Sequence, residues 1–195
     1  MQSPLFAWTL STVRNSNLKL YIAPSSLVIF AILVLLIPLK WLAAWIIAVF
    51  VHEIFHYLAL TAGKQTIDSI SINIYGVKIS TCPLTNLQTI ICAFAGPAGG
   101  LLLLFFSKLY PQLALCALIQ SVYNLLPIYP LDGGRILFAF THFIFSQSTA
   151  DCICKVITIT VITIILIFSI FTSIVFVTVT PLLIPAILFL QQRRK

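Results

Sequence analysis

From Leu20 to Leu39, and again from Val156 to Leu190, the sequence carries no charged side chain. A helix crosses the hydrocarbon core of a bilayer with ~20 residues, so apolar runs of this length read as membrane spans. The whole chain shares the bias: of 195 residues, 61% are hydrophobic and 8% charged. A water-soluble domain of this size needs far less apolar surface, and the composition is that of a multi-pass membrane protein. About six spans of ~20 residues fit the length, which leaves no room for a second soluble domain. The expected fold is an all-α polytopic membrane protein, a single domain over residues 1–195.

The first span is expected over about Leu20–Leu39. The second covers Trp41–Ala62, with Trp41 and Trp45 as interfacial anchors. Residues 64–87 change character. Ile70, Ile72 and Ile74 alternate with Ser71, Asn73 and Tyr75, and after Gly76 the alternation resumes at Val77 and Ile79. Period two with a Tyr-Gly break predicts a short membrane-associated β-hairpin or bent strand between the second and third spans. The third span follows at about Leu87–Phe106 and the fourth at about Tyr110–Ile128. A turn-rich stretch leads into a short amphipathic helix near Arg135–Phe145. The apolar stretch from Lys155 to Leu190 is too long for one ordinary span, and Thr180-Pro181 and Pro185 divide it into two. The core is expected over about 41–135 and the C-terminal helices over about 152–191.

Charge sets the orientation. With the N-terminus in the cytoplasm, Arg14, Lys19, Lys64, Lys78, Arg135, Lys155, Arg193, Arg194 and Lys195 lie inside, and only Lys40 and Lys108 lie outside. That bias is what the positive-inside rule expects of six spans, with both termini cytoplasmic in a cell membrane. The net charge of +7 is explained by this anchoring and implies no nucleic-acid partner. No small-x-small cleavage site follows a short apolar run near the start, so the N-terminus is expected to be retained. The cysteines at 82, 92, 116, 152 and 154 form no C-x-x-C. Cys92 and Cys116 read as small packing residues. Cys152-Ile-Cys154 is a weak candidate for a metal or redox pair.

Within the second span the sequence reads WIIAVFVHEIFHYLAL, with His52, Glu53 and His56 at its centre. The chain has three histidines and one glutamate in all. Ionisable groups at bilayer depth are functional by default. H-E-x-x-H on a helix puts two imidazoles on one face, ~5–6 Å apart at Cβ, which suits two ligands of one metal. The intervening glutamate can serve as general base. A catalytic zinc takes three protein ligands and keeps one position open. The remaining acids are Asp68, Asp132 and Asp151, and the remaining histidine is His142. Asp132 lies in Asn124-Leu-Leu-Pro-Ile-Tyr-Pro-Leu-Asp132-Gly-Gly-Arg135, and the span directions bring it to the depth of His52 and His56. Gly133 and Gly134 permit close backbone approach.

Each feature also has a plainer reading. Asp132 could cap or neutralise Arg135. Asn124 could be an interhelical hydrogen-bond donor. His142 reads as structural or interfacial, and Asp68 and Asp151 as solvated loop residues. Gly96-Pro-Ala-Gly-Gly100 is a G-x-x-x-G pattern suited to close helix packing.

HEIFH, FAGPAGG and NLLPIYPLDGG, in that order on successive spans, resemble the site-2 protease family of intramembrane zinc metalloproteases. The resemblance covers about residues 15–145. It is nearest to the compact bacterial branch that includes the sporulation protease acting on a sigma-factor precursor. It implies one zinc per chain with His52, His56 and Asp132 as ligands. It implies Glu53 as general base, and Asn124 as a residue steadying the substrate or the developing oxyanion. It also implies a membrane-associated β element, here near 66–80, able to pair with an unwound substrate. Gly99-Gly100 stand where the family often has a polar residue. No PDZ-like insert or nucleotide-sensing domain is evident, so gating by such domains is absent or supplied by a regulatory membrane partner. The expected activity is hydrolysis of a peptide bond within or near a transmembrane segment of a membrane-tethered protein. Two rivals stand beside it: a catalytically silent membrane binding protein of the same fold, and a metal transporter or sensor.

Overall fold

A computed structural model describes residues 19–22, 24–65, 67–73 and 76–176. Its elements follow in chain order. Strand β1 is Lys19–Ile22. Helix α1 is Pro24–Leu36 and helix α2 is Leu39–Ala62. Strands β2 and β3 are Ile67–Asn73 and Gly76–Thr81. Helix α3, Asn86–Leu102, continues into a 3₁₀ turn over Leu103–Phe106. Helices α4, α5 and α6 are Pro111–Asn124, Asp132–Ile144 and Gln147–Phe176.

The chain is mostly helical, and the described residues include three helices long and apolar enough to cross a membrane: Leu39–Ala62, Asn86–Phe106 and Gln147–Ser173. The expected first span is divided between β1 and α1, which has only 13 residues. The expected fourth span is the 14-residue α4. It stops at Asn124 because Pro127 has no N–H to continue the ladder. The amphipathic helix expected at Arg135 starts earlier, at Asp132, and α6 starts at Gln147 rather than near Lys155. The proposed bend at Thr180-Pro181 and Pro185, and the sixth span with it, lie outside the described residues.

The β element is larger than a hairpin. β2 and β3 pair antiparallel, Ile70 opposite Ile79 and Ile72 opposite Val77. β1 adds to the other edge of β2 in parallel, with Lys19 opposite Ser69 and Ile22 opposite Ile72. A parallel partner comes from far along the chain, so local alternation gives no sign of it.

Small residues let the central helices approach. α2 buries Leu42, Ala44, Ala48, His52, His56 and Leu60, a face repeating every four residues or so. It packs on α3 and α4. These present Ala93, Gly96, Pro97, Gly99 and Gly100 from α3, and Ala114, Ala117 and Ser121 from α4. Lipid chains are as apolar as side chains, so close contact between small residues holds such helices together. α3 is started by a capping box. The Gln88 N–H donates to the Thr85 hydroxyl at 3.3 Å, and the Thr85 N–H donates to the Gln88 side chain at 3.0 Å. A second cluster forms where Val161, Ile162 and Ile165 of α6 cover Ile128 and Leu131. α6 thereby holds down the turn that leads into α5.

Candidate metal centre

Two stretches far apart in sequence build the site. α2 supplies His52 and His56 one turn apart on its buried face. α5 supplies Asp132 as its first residue, after Leu131 in extended conformation. All three side chains are buried. His52 Nε2, His56 Nε2 and Asp132 Oδ2 form a triangle with every edge 3.1 Å. Asp132 is thus turned to the histidines and makes no ion pair with Arg135 among the described residues.

The tautomer of His56 follows from its other nitrogen. Its Nδ1 lies 2.8 Å from the carbonyl oxygen of Cys92 on α3. A carbonyl only accepts, so Nδ1–H donates and the neutral ring leaves Nε2 with a lone pair. That lone pair faces a carboxylate oxygen at 3.1 Å. A proton could bridge one such edge, but three equal edges suit a shared cation. Tetrahedral zinc with bonds of about 2.0–2.1 Å sets its ligand atoms roughly 3.3 Å apart. The donor set, two imidazoles and one carboxylate, is one that catalytic zinc uses. An imidazole held through its second nitrogen by a carbonyl is the usual outer support of a metal ligand. These residues therefore fit a zinc ion. His52 Nδ1 is buried and has no hydrogen-bond partner among the described residues.

Glycines set the approach of the two stretches. A β-carbon on Gly133 would overlap the carbonyl of Leu125, and one on Gly134 the backbone of Ile128 and Tyr129. The first turn of α5 can lie against the chain leading into it only because both side chains are missing.

Glu53 is half-buried on α2, next to His52 in the chain. Asn124 ends α4, and its side-chain amide donates back to the Gln120 carbonyl at 3.1 Å. The structure does not bring it into hydrogen-bond contact with the triangle. His142 is not part of the centre. Its Nδ1–H donates to the Phe138 carbonyl at 2.8 Å, and its Nε2 lies 3.4 Å from Asp151 of α6. Asp151, expected in a loop, is therefore helical and paired. Asp68 lies within β2 rather than in a loop. Cys154 meets the Thr141 hydroxyl at 3.2 Å. Cys152 is exposed. Among the described residues, His52, His56 and Asp132 are the one group able to hold a metal.

The contribution of α3 to the site was not foreseen. Cys92 acts through its backbone, which no side-chain pattern reveals. Gly96 lies one turn further on the same helix face, and that spacing within the small-residue motif was the available signal.

Residues 77–168 match the model of peptidase family M50. The matched stretch takes in Asn124 and Asp132 and begins after His56. No curated protein matches the chain by sequence. Its fold is similar to the site-2 protease from Methanocaldococcus jannaschii, with TM-score 0.64 and 19% identity, covering 96% of this chain and 94% of that one. Neither comparison singles out a sigma-factor-processing branch. Family model, fold and motifs agree: the chain has the fold of a site-2 protease and resembles the site-2 protease family within peptidase family M50.

Proposed function

We propose that this chain is an intramembrane zinc metalloendopeptidase that cuts a membrane-spanning protein within or near its transmembrane segment. The observation that carries the reading is the buried triangle of His52, His56 and Asp132 with its 3.1 Å edges. Its resemblance to a membrane protease family supports the choice of reaction.

In this reading His52, His56 and Asp132 hold the ion. Bound zinc supplies Lewis-acid polarisation of the scissile carbonyl and makes attack by water feasible near neutral pH. The Glu53 carboxylate takes a proton from the attacking water and passes it to the leaving nitrogen. Asn124 releases the Gln120 carbonyl and turns its amide to the substrate or the developing oxyanion. The Cys92 carbonyl keeps the His56 ring oriented throughout.

A transmembrane substrate hides its carbonyls in helical hydrogen bonds and has to unwind before it is cut. Strand addition can hold it extended. β1 and β3 flank β2, so a substrate strand could add at the outer edge of either, and we assign it to the longer edge strand, β3. The chain sits in the bilayer as a single domain of six spans, with both termini in the cytoplasm, as the distribution of basic residues favours.

Metal content of the detergent-purified protein tests the reading. About one zinc per chain is expected, kept in Glu53→Gln and weakened in Asp132→Ala. Glu53→Gln should also bind clients without cutting them. A wild type that folds without zinc, or a Glu53→Gln variant with unchanged function in cells, favours a silent binding protein instead.

A further inference from the structure

Gly96 lies where α3 crosses the two histidines. A β-carbon built on it would stand 2.8 Å from His52 Nε2 and overlap Nε2 and Cε1 of His56. These atoms form one edge of the triangle. The other glycines of the motif meet different neighbours: Gly99 would meet the Phe55 ring, and Gly100 the Ser121 hydroxyl. One turn before Gly96, the Cys92 carbonyl takes the His56 Nδ1 proton. α3 thus grips His56 at one ring nitrogen and leaves bare space against the other.

We infer that Gly96 is a positioning residue of the metal centre, whose missing side chain keeps open the space against both Nε2 atoms. The inference rests on the metal reading of the triad. Alanine is the better helix former, so the substitution gives α3 itself no reason to unwind. The groups that must give way are two imidazoles, each at the end of a side chain with two torsions. Their rotation breaks the triangle before it breaks the fold. Gly96→Ala therefore separates holding the ion from holding the helices.

The test compares the full-length wild type, Gly96→Ala, the doubly shortened His52→Ala/His56→Ala and the triple variant in detergent. Zinc affinity is read by chelator competition, and ligand geometry by the absorption of the cobalt-loaded protein. Gly96→Ala should keep its helical signal and elution volume, lose about 10–100-fold or more in zinc affinity, and change its cobalt spectrum. Unchanged affinity with an unchanged spectrum overturns the inference. If Gly96→Ala does not fold, the shortened background decides. A triple variant as stable as the doubly shortened one supports a clash confined to the imidazoles, and one that also fails to fold overturns it. Absence of zinc from the unsubstituted protein overturns the metal reading itself, and that result is independent of any change at Gly96.

Discussion

His142 and Asp151 show how little a side chain's role is fixed by its own neighbourhood in sequence. In the chain they are a histidine near the end of a short helix and an acid expected in a loop. In the fold they sit 3.4 Å apart across the junction of α5 and α6, with the imidazole stacked on Phe138 at 3.9 Å between ring centroids. Asp151 is about half exposed, which screens the pair. A double-mutant cycle on His142→Ala and Asp151→Ala should therefore give a coupling of about 1 kcal/mol or less, falling with added salt. A coupling of zero at low salt would leave the contact without energetic weight. The buried triangle is far more legible in the sequence. His52 and His56 are two of only three histidines and lie where ionisation is least tolerated. Gly96 was harder, because only the crossing angle of two helices decides what a missing methyl faces.

At the scale of elements, hydropathy located the long helices well. α2 and α3 fall within a few residues of their expected bounds, since a bilayer demands one length and one composition. Short elements were misjudged. α4 ends four residues before its apolar run does, and α1 yields its first residues to β1. β1 pairs in parallel with a strand about 50 residues away, and periodicity contains no long-range register. This sheet carries its own prediction. Proline at successive positions of β3 should alternate in effect. One parity removes outward N–H groups and slows cleavage with zinc retained. The other breaks the ladder to β2 and lowers stability. Cleavage rate and zinc content measured on each variant separate the two, and a set with no slowed member would remove strand addition at β3 from the reading.

For the whole molecule the open issue is which side each loop faces. Cys82 and Cys152 are both exposed, one between β3 and α3 and the other in the early turns of α6. The six-span orientation puts both on the cytoplasmic side. A membrane-impermeant maleimide should label both in inverted vesicles and neither in intact cells. Labelling of either from outside would reverse or break the topology. The three described helices long enough to span come from α2, α3 with its 3₁₀ turn, and α6. The candidate metal centre draws its side chains from α2 and α5, which are 80 residues apart at His52 and Asp132. That separation has a consequence in time. At a synthesis rate of about 5–20 residues per second, His52 waits roughly 4–16 seconds for its carboxylate partner. By then α3 and α4 have already emerged. A nascent chain therefore carries its histidines into the membrane well before the third member of the triangle exists, and the centre can close only when almost the last of its core has been made.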